Sequence, residues 1–189
     1  MKRGFTLIEL LLVVAIIGVL SAIVFVALSD SKEKAKNTAL NQTMISYINA
    51  FELYRARYGN LPLVGSNQFY TCIGSGYVDH KCGPVNNPAA VVYDNGSPNL
   101  GTLLNEFIAP GPINFKISNG NYVGAVYACL STPCQSENMA VIWHLDKQNQ
   151  TCPLGAESTN FTGNLEPDPG GTPHILGSNT RCIYHFGAN

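Results

Sequence analysis

The sequence predicts an α+β fold in which a long amino-terminal α-helix packs on a small antiparallel β-sheet, stabilised by disulfides. Three observations predict it. No proline interrupts residues 5–58, where an apolar run passes into a stripe of apolar residues at helical spacing. Beyond residue 120, short segments rich in Val, Ile, Tyr and Trp alternate with turn residues. All six cysteines lie after the apolar run.

The helix comes first. Leu10 to Leu28 is 19 residues without a charge, with Gly18 and Ser21 its only residues other than Ala, Val, Ile, Leu and Phe. As a helix this run is about 28 Å long, enough to cross the hydrocarbon core of a bilayer. Lys2 and Arg3 precede it, so the amino terminus is expected on the cytoplasmic side and the remainder outside. Glu9 is the anomaly, because a carboxylate at membrane depth is costly and is by default a functional residue. Two readings stand side by side. Glu9 snorkels to the interface, or it pairs with an ammonium. Cutting the chain between Gly4 and Phe5 would create such an ammonium, and one from a neighbouring copy would reach Glu9 better than its own.

After Leu28 the chain turns polar, with Ser29-Asp30-Ser31-Lys32-Glu33-Lys34, yet Ala, Lys and Glu favour helix. Leu40, Met44, Tyr47, Phe51, Tyr54 and Tyr58 follow at steps of four and three, which keeps one face apolar. The expectation is one helix of about 54 residues, about 80 Å long, apolar all round in its first half and amphipathic in its second. The competing reading starts a second helix at Ser29-Asp30-Ser31, residues that also cap. Gly59-Asn60-Leu61-Pro62 ends the helix.

The outer part is rich in turn residues, since the chain holds 18 Gly and 11 Pro. Leu63 to Asn99 reads as loop. Leu100 to Ile108 reads as a short helix stopped by Pro110-Gly111-Pro112. Asn114 to Ser118 is a weak strand, Asn119-Gly120 a hairpin turn, and Asn121 to Leu130 its partner strand. Met139 to Leu145 is the next strand and Arg181 to Phe186 the last. Pro153 to Thr180 reads as irregular. An amphipathic helix half and a sheet then cover each other's apolar faces.

The cysteines are Cys72, Cys82, Cys129, Cys134, Cys152 and Cys182. An even number on the outer side of a membrane segment reads as disulfides, and six cysteines allow 15 connectivities. Pairing of sequence neighbours, 72 with 82, 129 with 134 and 152 with 182, is preferred because it closes short loops. Zinc is the rival: Cys129-x4-Cys134 has tolerable spacing, but no second tight pair completes a site.

Arg3-Gly4-Phe5-Thr6-Leu7-Ile8-Glu9-Leu10 resembles the amino-terminal signal of type IV pilins and of type II secretion pseudopilins. Tyr54-x4-Gly59-x2-Pro62 resembles the end of their long helix. One departure is that many members carry a proline where this chain reads Phe25-Val26-Ala27. The resemblance implies a pilin fold and a division into a leader at 1–4, an apolar helix half at 5–28, and an outer part at 29–189. That outer part comprises the amphipathic half, 29–58, and a globular pilin-like domain. It implies a prepilin peptidase that cuts after Gly4 and methylates the amine of Phe5, and a role for Glu9 in recruiting subunits. The implied partners are sister subunits in a homopolymer, the membrane assembly platform, and the cytoplasmic membrane before assembly, with an extracellular filament as the product.

Other classes find little support. Formal charge is −1, and loss of Lys2 and Arg3 leaves 9 basic against 12 acidic side chains, so no basic surface for nucleic acid is expected. His80, His144, His174 and His185 are scattered and form no catalytic motif, so the chain is not expected to be an enzyme. No phosphate loop is present and no cofactor is expected. Glu157, Glu166 and Asp168 fall in the supposed irregular region, where some pseudopilins bind calcium, but without EF-hand spacing no metal is expected. Asn-x-Ser/Thr triplets begin at Asn41, Asn95, Asn149 and Asn160. The alternatives to a pilus subunit are a secretion pseudopilin and a secreted binding domain cut at Ala27-Leu28-Ser29.

Overall fold

A computed structural model of the chain describes residues 6–62, 70–74, 100–109, 125–130, 134–153, 155–165 and 174–187. Its elements are α1 (Leu7–Tyr58), β1 (Tyr70–Cys72), α2 (Leu100–Leu104), β2 (Val126–Cys129), β3 (Met139–Leu145), β4 (Glu157–Leu165) and β5 (His174–His185). A 3-10 turn at Ser136–Asn138 leads into β3. The chain divides into two units, residues 1–38 and 39–189, and α1 contributes to both. Helical hydrogen bonding continues through Ser29-Asp30-Ser31, so no second helix begins there.

In the first unit the chain is helix from Leu7 onward. Its described large apolar side chains are exposed, from Val13 at 48% to Phe25 at 78%. Ser21 Oγ donates to the Ile17 carbonyl at 2.7 Å, and Thr38 Oγ1 to that of Lys34 at 2.9 Å. Both hydroxyls are therefore satisfied by the preceding turn of their own helix.

In the second unit, α1 buries Leu40, Met44, Tyr47, Ile48 and Phe51, the face that the four-three spacing predicts. Gly59 ends the helix at φ 83°, its N–H donating to the Arg55 carbonyl at 2.8 Å. This is the left-handed cap for which glycine is the cheapest residue. Arg55 Nη1 also donates to the Phe186 carbonyl at 3.1 Å, tying the last turn to the segment after β5.

The sheet is antiparallel throughout, in the order β1-β2-β3-β5-β4. Val126 pairs with Ile142, Trp143 with Cys182, and Asn160 with Thr180. β3 is central and buried along its length except at His144. Phe51 stacks on Tyr127 at 4.5 Å between centroids and meets Phe186 edge-on at 5.4 Å, so helix, sheet and carboxy-terminal segment share one aromatic cluster. Such pairs add about 0.5–1.5 kcal/mol beyond area burial. Gly187 packs on the backbone of Glu137, where a Cβ would sit 2.7 Å from its Cα. The third link is covalent: Cys129 bonds Cys134 and Cys152 bonds Cys182. Cys72 is also disulfide-bonded, and Cys82, its expected partner, lies outside the described residues. The Cys129–Cys134 bond removes the zinc reading of that pair.

Several expectations need correction. The expected irregular stretch from Pro153 to Thr180 holds two strand segments, 157–165 in β4 and 174–180 in β5, while 154 and 166–173 lie outside the described residues. The last strand begins at His174 rather than Arg181 and ends at His185. Polar strands such as Glu-Ser-Thr-Asn carry no apolar alternation, and here pairing with β5 decides the conformation. The supposed loop 63–99 contains β1, and the short helix stops at Leu104, with Phe107 and Ile108 turning back onto its carbonyl. The strand expected over 121–130 is β2, described from Val126; its residues 121–124, the weak strand 114–118 and the turn 119–120 lie outside the described residues.

Candidate functional site

The start of α1 is built by two side chains. Thr6 precedes the first helical residue and Glu9 stands three positions later, the Thr-x-x-Glu spacing of a capping box. Glu9 Oε2 accepts hydrogen bonds from the Thr6 N–H at 2.9 Å and the Thr6 hydroxyl at 2.8 Å. In return the Glu9 N–H approaches Thr6 Oγ1 at 3.4 Å, a long and weak contact. Two donors that a helix terminus leaves without partners are thereby engaged. The pattern is legible in the sequence, but attention to the charge of Glu9 hides it.

This geometry bears on both readings of Glu9. The carboxylate is exposed in the isolated chain, and its hydrogen bonds to described residues all run through Oε2 to Thr6. The second oxygen, Oε1, bonds no described residue and can accept a further donor. Gly4 and Phe5, the expected cleavage and methylation positions, lie outside the described residues. Phe5 directly precedes Thr6 in the chain, so an amine made there would belong to the residue next to the cap.

Behind the cap comes a continuous apolar surface. The helix is long and apolar enough to cross a membrane, and none of that stretch is buried within the chain. Monomeric soluble proteins rarely expose contiguous apolar patches beyond a few hundred Å². This surface therefore calls for lipid or other helices.

The second unit carries no comparable chemistry among its described residues. No group of three His, Cys, Asp or Glu side chains is placed to hold a metal ion there. His144 Nδ1 lies 3.3 Å from Asn179 Oδ1. Burial holds the His144 imidazole below its ordinary pKa; the Asn179 contact opposes this and the Arg181 charge adds to it. His185 Nε2 stands 3.8 Å from Glu157, which begins β4 rather than lying in a loop. Burial likewise pushes the Tyr127 phenol upward, and Tyr127 and Trp143 are core residues. His174 lies on β5, whereas His80, Glu166 and Asp168 lie outside the described residues.

One polar arrangement was invisible in the sequence. Asn41 sits on α1 between buried Leu40 and Met44. Its Oδ1 accepts from Trp143 Nε1 at 3.0 Å, and its Nδ2 donates to the Thr151 carbonyl at 3.2 Å. One amide thus holds helix, central strand and the following loop together. Of its Asn-x-Thr triplet, Asn41 joins these elements, while Thr43 Oγ1 donates to the Ala39 carbonyl of its own helix at 2.9 Å.

A capped helix with an exposed apolar flank and an amino-terminal carboxylate, continued by a half packed on an antiparallel sheet, defines a pilin- or pseudopilin-like protein. Residues 1–25 match the family described as "Prokaryotic N-terminal methylation motif", so the chain is a prepilin-motif protein. Over 68 residues it is 45% identical to "Prepilin peptidase-dependent protein D" of Escherichia coli (strain K12), covering 35% of this chain and 47% of that one. Over 54 residues it is 39% identical to "Type II secretion system core protein G" of the same organism, covering 29% of this chain and 37% of that one. The chain thus spans half or less of the curated relatives it matches. No solved structure matches.

Proposed function

We propose that the chain is a structural, non-enzymatic subunit of a type IV pilus-like filament. The apolar half of α1 holds the precursor in the cytoplasmic membrane. Prepilin peptidase cuts between Gly4 and Phe5 and methylates the new Phe5 amine. At the assembly platform the subunit then leaves the membrane for a homopolymer that extends outside the cell. The observation that carries this is the juxtaposition at the start of α1: a capped Glu9 with an available oxygen, heading an apolar surface that the chain itself does not cover. In a growing filament that oxygen accepts the amine of an incoming copy, while the apolar stretches exchange lipid for one another. Burial in either medium is worth about 25 cal/mol per Å², so transfer between them has little net drive and needs an external motor.

A second reading, a short secretion pseudopilus, is favoured by the likeness to core protein G. The two differ in filament length and location rather than in the chemistry of the amino terminus. A domain cut at Ala27-Leu28-Ser29 would instead sever α1 within its length.

Two substitutions test the role of Glu9. Glu9→Gln keeps an acceptor for Thr6 but removes the charge. Thr6→Val keeps the charge but removes the hydroxyl donor. The expected outcome is membrane-inserted precursor in both, with filaments lost in Glu9→Gln and retained in Thr6→Val, read by electron microscopy and immunoblotting of sheared fractions. Wild-type filament yield from Glu9→Gln would refute the pairing.

A further inference from the structure

The loop between β3 and β4 folds into a concavity that the filament reading does not use. A cleft of about 350 Å³ is lined by Asn149, Gln150, Thr151, Ser158 and Asn160, with Cys152 and Ala156 completing it. Its volume falls within the range of small-molecule sites, about 300–1,000 Å³.

The walls are held from several directions. The Asn149 N–H donates to Asn160 Oδ1 at 2.9 Å, and Asn160 Nδ2 donates to Asn149 Oδ1 at 2.7 Å, a reciprocal clamp between loop and β4. Thr180 Oγ1 accepts from the Gln150 N–H at 2.9 Å and donates to the Lys147 carbonyl at 3.0 Å, seating the same loop on β5. Gln150 Nε2 donates to the Gln148 carbonyl at 3.1 Å. Asn41 holds the Thr151 carbonyl, and the Cys152–Cys182 bond anchors the next residue. Lys147 takes a positive φ of 69°, a conformation that for a lysine persists only where its surroundings enforce it, and Asn149 one of 59°, which asparagine tolerates. Side chains fixed in this way lose little freedom when a ligand arrives.

The lining decides the ligand class. It is predominantly amide and hydroxyl, and among the described residues no charged side chain belongs to it. An anion would find no cation there, a metal ion no carboxylate, and an apolar molecule little apolar wall. Among the described residues, the Ser158 and Thr151 hydroxyls and Asn149 Nδ2 bond no other group, which leaves donors and acceptors available to an incoming molecule. From this we infer that the cleft is a weak binding site for a neutral polyhydroxylated ligand, a monosaccharide unit of a glycan. This does not rest on filament assembly.

Saturation-transfer difference NMR on the full chain in detergent micelles tests it. The probes are methyl α-glucopyranoside, methyl β-galactopyranoside and N-acetylglucosamine, with glucuronate and glucosamine as charged counterparts and empty micelles as control. At least one neutral sugar should receive saturation. Ser158→Ala should weaken its binding about 2- to 10-fold, the loss of one hydrogen bond, without moving the melting temperature. Asn160→Asp, which adds a charge and removes the donor of the clamp, should weaken it further. Transfer to none of the neutral sugars, transfer to charged sugars alone, or binding unchanged in both variants would overturn the assignment.

Discussion

Asn41 gives the sharpest stability prediction, because its partner is the only tryptophan in the chain. Trp143 is 1% exposed, and its Nε1–H donates to Asn41 Oδ1. In Asn41→Ala that buried donor loses its acceptor, at a cost of about 1–3 kcal/mol. The Thr151 carbonyl also loses a donor, but Thr151 is exposed and water replaces it at little cost. For a chain of this size each kcal/mol lowers Tm by about 2–4 °C, so a cost of about 2 kcal/mol shifts it by about 4–8 °C. Thermal unfolding of the full chain in detergent, followed by circular dichroism, reads the stability in every variant, and tryptophan emission adds the environment of Trp143 where that residue is kept. Trp143→Phe removes the donor instead of orphaning it. In that background Asn41→Ala should cost markedly less, with a coupling of about 0.5–3 kcal/mol between the two positions. A Tm within about 1 °C of wild type for Asn41→Ala, or equal costs in both backgrounds, would show that the Asn41–Trp143 hydrogen bond does not stabilise the fold.

Two further outcomes follow from the same unit. His144 has a folded pKa below its ordinary value of about 6.5, so the unfolded chain binds protons more readily. Stability is then full above about pH 6.5 and falls as pH drops from there toward the depressed folded value; His144→Gln should flatten that slope in denaturant titrations across pH. Gly59→Ala, at φ 83°, should destabilise by about 1–2 kcal/mol through left-handed strain alone, since open space surrounds the position. Denaturant midpoints measure it, and an unchanged midpoint would contradict the cap.

The legible parts of the fold were those whose own residues state their environment. The stripe Leu40, Met44, Tyr47, Phe51 declares a buried helical face, and Met-Ala-Val-Ile-Trp-His-Leu declares a central strand, because burial on both sides demands apolar residues at consecutive positions. β4 and the early half of β5 were not legible. Their conformation comes from pairing, Asn160 with Thr180 and Asn164 with Ile175, not from any apolar alternation. At the candidate site the sequence marked Glu9 by its charge, while the Thr6 cap was equally readable as Thr-x-x-Glu. The role of Asn41 had no local signal, since Trp143 lies 102 residues away.

Assembly of the proposed kind requires processing between Gly4 and Phe5. Intact-mass and fragment-ion spectrometry of the protein recovered from membranes of a prepilin-processing host tests it most directly. A chain that begins at Phe5 and carries one methyl group on its amine is the predicted result. A chain that begins at Asp30, or a full-length Met1 chain in cells whose other prepilins are processed, would contradict it.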